Sequence, residues 1–415
     1  MEWKTVRLGD YISIKSGLAY KGSKLGHGNS ILLGMGCVSF KDKFVMTGAR
    51  PYNDVVDDRF CVVPGDIVLA TRQQSDNLPI LAMPAIIPPS FEGKRVIFGT
   101  NLYKVDNHSE ISNRFLFWLL KHQHYVNYIA GVKSGTAVQM VTKKNVEDYK
   151  FLCPPKKERE KIADILWTYD SQIENNKKRI KLLEQMAENL YKEWFVRFRF
   201  PGYETAEFEG EVPKGWLLEK LNDFGIILET GSRPKGGIDA SVENGIPSLG
   251  AEAINGLAEF DYNNFKLVSL DYYNSMKRGK SKGNHILVYK DGAYIGKVTL
   301  FRNAFPFNTY SINEHVFFLN TKDVNYQNYL YFTLHQPVFF TMMQNLNRNA
   351  AQPGLSQQDM FGIKVFKPTI NVVTAFNSFV EPILDEVFNL AKENRLLTTQ
   401  RDLLLPRLMS GKLSI

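Results

Sequence analysis

Four cations fall within six residues at Lys277-Arg278-Gly279-Lys280-Ser281-Lys282, and no acidic residue lies between Tyr272 and Tyr289. A run of this kind fits contact with phosphate, and it also fits a solvated charged surface. Earlier in the chain Lys21 and Lys24 share a Gly-rich loop with Lys15, and a corresponding loop later on holds Arg233 and Lys235. Two small polar loops follow the same logic: Lys133, Thr136 and Gln139 in KSGTAVQ, and Arg348, Asn349 and Gln352 in NRNAAQP. The turn at residues 71–77 adds Arg72, Gln73 and Gln74. Arg forms bidentate hydrogen bonds to guanine edges, and Asn and Gln do so to adenine. Each loop alone reads as ordinary surface; together, and twice over, they point to the reading of nucleic-acid bases.

Constellations for covalent chemistry are missing. GxxxxGK[ST] does not occur, and Gly292 and Gly296 in KDGAYIGKV sit between β-type residues, where hairpin turns are expected. The [ND]PP[FYW] motif of adenine methyltransferases is absent; Pro154-Pro155 follows Cys153 and precedes Lys156, which suits a helix start. His122 and His124 are two apart and do not share a helix face. Cys37, Cys61 and Cys153 are odd in number and far apart, which argues against a disulfide framework or a thiolate metal site. No catalytic, cofactor or metal residue is therefore assigned. The chain reads as a binder and not an enzyme. With 415 residues, 44% hydrophobic and 23% charged, it is long enough for two or three domains. Its charge of +8 favours a polyanionic partner. The charged opening MEWKTVRLGD and the lack of an apolar run near ~18 residues lead to the expectation of a cytoplasmic protein without a membrane partner.

The loops must be positioned by elements, and these repeat once at an offset of about 214 residues. Phe115-Leu116-Phe117 returns as Tyr329-Leu330-Tyr331, residues 146–152 before Pro154 return as 360–366 before Pro368, and Leu8, Asp10 and Tyr11 match Leu221, Asp223 and Phe224. The expected layout is residues 1–155 as a first recognition domain of short strands with a helix near 113–128, 156–200 as a helical spacer ending at Pro201-Gly202, 201–368 as a second domain, and 369–415 as a second long helix. The first helix carries a heptad seam of Ile162, Leu166, Tyr169, Ile173, Asn176, Ile180, Leu183, Ala187, Leu190 and Trp194. The same offset yields Phe376, Val380, Ile383, Val387, Leu390, Asn394, Leu397, Arg401, Leu404 and Leu408. Two equivalent helices pairing about a pseudo-two-fold axis run antiparallel, so paired residue numbers add to about 570. That register sets Trp194 beside Phe376, Tyr169 beside Arg401, and Asn176 opposite Asn394, where facing amides can satisfy each other. The fold class expected is α+β, with two β-rich α/β domains separated by two long helices in an antiparallel coiled coil.

The stretches QRDLLLPRLMSGKL at residues 400–413 and EQMAENLYKEWFVRF before Pro201, with the Leu8-Gly9-Asp10 opening, resemble the conserved regions of the specificity subunit of type I restriction–modification enzymes. The resemblance spans the chain. It implies two target-recognition domains, each reading one half of a split double-stranded DNA sequence, with the helices as a ruler and as a docking surface for two modification subunits alongside restriction subunits. It also implies that methylation and cleavage belong to those partners. The recognition loops differ, KSGLAYKGSKLGHG against ETGSRPKGGIDASVENG, so an asymmetric target is expected. A stand-alone DNA-binding or architectural protein with a coiled-coil spacer is the alternative; a scaffold without a nucleic-acid role accounts poorly for the basic loops.

Overall fold

The computed structural model describes residues 3–74, 79–239, 242–281, 283–292, 294–346 and 354–413. The chain divides into two units, residues 1–172 with 397–415, and residues 173–396, so the division falls inside both long helices. The fold is α+β throughout, with short strands in small sheets and two long helices.

In the first unit an antiparallel four-stranded sheet runs in the order Ile12–Ser16, Leu102–Asn107, Ile67–Ala70, Pro84–Ile86. A second four-stranded sheet places Leu25–Leu33 between Ala49–Tyr52 and Val96–Phe98, pairing antiparallel with the former and parallel with the latter, and Cys61–Val62 lies on the edge. A two-stranded pair, Lys4–Arg7 with Lys150–Cys153, closes the start of the unit onto its end. The central strands are buried on both faces: Ile67, Val68, Leu69 and Ala70 are all fully buried. This explains why IVLA reads as a continuous apolar run with no alternation.

The second unit repeats this plan. Ile226–Thr230, Val316–Thr321, His285–Tyr289 and Val298–Phe301 form the antiparallel sheet in the equivalent order. Ile246–Leu249 pairs antiparallel with Lys266–Val268 and parallel with Ser311–Ile312. Leu217–Lys220 pairs with Lys364–Lys367. Even single hydrogen bonds recur: Leu8 N donates to Tyr149 O at 2.8 Å in one unit, and Leu221 N donates to Ile363 O at 2.8 Å in the other.

The helix expected near residues 113–128 is two helices, Asn113–Lys121 and Gln123–Val132, broken at His122 with ψ 141°. The second unit breaks at the matching Gln336, with ψ 144°, between Tyr326–His335 and Pro337–Leu346. There the cause is local, because proline pushes the residue before it out of helical geometry. The first unit has no proline and holds the same break by burying His122.

The long helices are Lys156–Tyr191, of 36 residues, and Ile370–Met409, of 40 residues. The first ends earlier than expected from Pro201-Gly202. After Tyr191 it widens into a five-residue turn, Lys192–Val196, in which Arg197 N donates to Lys192 O, and Phe198 then adopts φ +58°. The extra residue in that turn lets Tyr191, Trp194 and Phe195 all face inward, and all three are buried.

Within each unit the two helices run antiparallel. In the second unit Trp194 meets Phe376 with ring centroids 5.9 Å apart, Arg179 Nη2 meets Glu386 Oε1 at 2.5 Å, and Asn176 donates to Glu393 at 3.1 Å. In the first unit Leu408 and Met409 join Ile162 and Leu166 in one buried cluster. Of the remaining seam residues, Ile173, Val380, Val387 and Leu390 are buried, while Tyr169, Ile180, Leu183, Leu190, Ile383, Leu397 and Leu404 are half-buried. The stripe is wider than a heptad seam: Val373, Leu384 and Phe388 are also fully buried, and Phe388 packs on Phe305 at 5.4 Å. The helix therefore rests on the globular part of its unit as well as on the other helix.

Two expected contacts differ. Arg401 pairs with Asp170, Nη1 to Oδ1 at 2.6 Å, and not with Tyr169; its guanidinium lies 5.6 Å from the Trp118 ring centre. Asp170 is 7% exposed, and a carboxylate so buried takes the nearest cation. The amide of Asn176 donates to Glu393, while Asn394 Oδ1 is buried and accepts no hydrogen bond. A carboxylate is the stronger acceptor and displaces the amide-to-amide pairing.

Candidate nucleic-acid interface

In the first unit the loop after Ile12–Ser16 turns through Gly22–Lys24, leaving Lys21 exposed and Lys24 half-buried. The turn after Ile67–Ala70 and the small polar loop near residue 135, far apart in sequence, come together. Arg72–Gln73 pairs antiparallel with Gln139–Met140. Ser134 and Met140 exchange backbone hydrogen bonds at 3.0 and 2.8 Å, closing a loop in which Thr136 is exposed and Lys133 half-buried. Gly135 has φ +91°, and a Cβ there would meet Val138 O at 2.2 Å, so only glycine closes this loop unstrained. Gln73 is 5% exposed: its Oε1 accepts from Ile80 N and Leu81 N, and its Nε2 donates to Gln139 Oε1 at 2.6 Å. Its amide thus braces the junction of the two loops. Arg72 and Gln74 on either side are exposed, so alternation along the short strand presents them.

In the second unit, Gly231 through Lys235 follow Ile226–Thr230, and both Arg233 and Lys235 are exposed. The basic run packs against this loop. Gly279 has φ +74°, and a Cβ there would lie 2.7 Å from Gly231 Cα. Gly279 N donates to Glu229 Oε2 at 2.9 Å, and Ile312 N donates to Gly279 O. Lys277 and Arg278 are exposed, whereas Lys280 turns back, donating to Asn274 O at 3.0 Å with its ammonium 4.9 Å from the Tyr273 ring centre. Lys282, Arg348, Asn349 and Gln352 lie outside the described residues.

Beside Arg233 stand residues that carried no signal in the sequence. Arg233 Nε lies 2.9 Å from Glu314 Oε1, His315 Nε2 lies 3.3 Å from the same oxygen, and His315 Nδ1 lies 2.5 Å from Asp291 Oδ1. Glu314 and His315 precede a strand, and Asp291 lies in a turn some twenty residues earlier, so only folding assembles them.

The two units thus share one β-rich plan, and each carries exposed cationic and polar loops. Residues 1–185 match the family model described as the type I restriction modification DNA specificity domain. The chain is similar to the specificity subunit of type I restriction enzyme MjaIX from Methanocaldococcus jannaschii, 26% identical over 74% of this chain and 70% of that protein. It is also similar to the specificity subunit of HindI from Haemophilus influenzae, 24% identical over 72% of this chain and 77% of that one. Among solved structures, the S subunit of a type I restriction-modification system from M. genitalium shares the fold, with a TM-score of 0.59 at 14% identity over 99% of this chain and 96% of that one. The chain is thus similar to type I restriction enzyme specificity subunits, most directly over residues 1–185. Among the described residues no helix is long and apolar enough to cross a membrane.

Proposed function

We infer that this chain reads a bipartite, asymmetric double-stranded DNA target, one half through residues 1–155 and the other through residues 201–368. Residues 156–200 and 369–415 act as the spacer and dock two modification subunits and the restriction subunits. The observation that carries this reading is the pairing of one strand plan, used twice, with loops of different chemistry. In the first copy the reading edge offers Arg72, Gln74 and Thr136, with Lys21 and Lys24 toward the backbone; in the second it offers Arg233 and Lys235, with Lys277 and Arg278 toward phosphate. A scaffold held constant while its loops change is how one architecture comes to read two different sequences.

Docking has its own support on the helices. Leu182 and Met186 on the first, and Leu396 and Leu403 on the second, are each more than half exposed. Leu182 and Leu396 are equivalent under the repeat, which suits two copies of one partner. The test is single-molecule sequencing of methylated DNA from cells expressing the complete system. A two-part sequence with unlike halves is expected, and a continuous or palindromic one defeats the reading.

A further inference from the structure

We propose that Arg233 reads a guanine in the half-site of the second unit, and that Glu314, His315 and Asp291 are positioning residues that aim it. The proposal rests on the reading of the chain as a DNA-specificity subunit, and it names a base and the side-chain chain behind its recognition.

The geometry separates this arginine from a phosphate contact. Its ion pair is made through Nε, so the N–H donors of both Nη groups are left for a ligand, and the side chain is 38% exposed. Two parallel donors in a plane match O6 and N7 of guanine. Glu314 offsets the positive charge, which weakens attraction to phosphate but keeps the directed donors. Lys277 and Arg278, exposed on the neighbouring run, show the other arrangement, suited to non-directional attraction.

The carboxylate that aims the arginine is itself held. His315 Nε2 lies 3.3 Å from Glu314 Oε1 and its Nδ1 2.5 Å from Asp291 Oδ1, while Lys290 Nζ donates to the backbone carbonyl of Glu314 at 3.2 Å and so ties down the segment that carries it. Fixing an arginine beforehand reduces the rotamer entropy lost on binding, which matters for a two-point contact and little for a point charge.

The repeat shows that the arrangement is particular to one unit. Val105 pairs with Ile14 and Ile67 as Leu319 pairs with Leu228 and Ile286, so these positions correspond. Counting outward, Arg233 falls where the first unit has Ala19, His315 where it has Asn101, and Asp291 where it has Arg72. The bridge confirms the last of these, because Arg72 faces Met140 as Asp291 faces Gly354. Unlike side chains on equivalent backbone are what two different half-sites require.

The test maps methylated DNA from cells carrying the complete system with the wild-type chain, R233K, R233A or E314Q. The half-site read by residues 201–368 should contain a guanine. R233K, which keeps the charge and loses the fork, should lower discrimination at that base on the order of tenfold or more. E314Q should relax the same position less, and the other half and the spacing should not change. R233K with unaltered preference at every position overturns the proposal and marks a phosphate contact. A uniform loss of methylation by R233K and R233A, without a change in preference, also overturns it. A wild-type chain that yields no two-part sequence removes the underlying functional reading instead, and the guanine assignment falls with it.

Discussion

Two residue-scale features of the first unit are sharply testable. Arg401 and Asp170 are 13% and 7% exposed, so the pair is effectively internal. Arg401→Met should cost about 3–5 kcal/mol by leaving Asp170 buried and uncompensated. Asp170→Asn should cost less, because Asp402 still meets Arg401 Nη2 at 2.8 Å. The double variant Asp170→Leu with Arg401→Met should return to within about 1 kcal/mol of the parent in urea unfolding, since apolar isosteres replace a buried pair at little cost. His122 supplies a pH dependence. Burial, followed by the neighbouring His124, pushes it down to about 4 from an ordinary 6.5. The folded unit holds the ring neutral, and below about pH 6.5 the unfolded chain takes up the proton, so this stability is whole above pH 6.5 and is lost as pH falls toward 4. His122→Gln, which copies Gln336 of the other unit, should remove on the order of 1–2 kcal/mol of that loss. Tryptophan fluorescence across denaturant series at pH 7 and pH 4.5 measures the difference between the two chains. Equal losses in both chains would show that His122 is not the titrating group.

Among the elements, the helix seam and the basic loop make separate predictions. Asn176 is fully buried and bonded to Glu393, whereas Asn394 holds a buried carbonyl oxygen that accepts nothing. Asn394→Leu should therefore be neutral or stabilising, and Asn176→Leu should cost about 1–3 kcal/mol. A double-mutant cycle should couple Asn176 to Glu393 more strongly than to Asn394; the reverse ranking would restore the facing-amide register. For the basic loop, Lys277→Ala with Arg278→Ala should reduce the slope of log K against log salt by about 2 if both residues meet phosphates. Adding Lys280→Ala should change it little further, because that ammonium already serves Asn274 and Tyr273. A slope unchanged by the first pair would return the loop to ordinary solvated surface.

At the scale of the whole molecule, modular reading predicts independence. Exchanging residues 1–155 for the corresponding domain of a relative should change one half of the methylated sequence and leave the other half and the spacing as they were. A change in both halves would show that the two copies do not read separately. The strand pairs that close each copy, Lys4–Arg7 with Lys150–Cys153 and Leu217–Lys220 with Lys364–Lys367, supply natural borders for such an exchange.

The duplication, the two helices and their antiparallel register were legible in the residues, because apolar spacing and a repeat offset are properties of the chain itself. Trp194 beside Phe376 follows from counting alone. Other features depend on neighbours that sequence separation hides. Gln73 looks like a base reader by type, yet the strand it lies on turns its amide inward to Ile80, Leu81 and Gln139. Asp170 lies one residue from the seam and captures Arg401 because burial leaves it no water. The Arg233, Glu314, His315 and Asp291 line has no spacing to betray it. Local periodicity decides which elements form and which faces they bury, while contacts between polar groups depend on distances of a few ångströms that only the folded backbone sets.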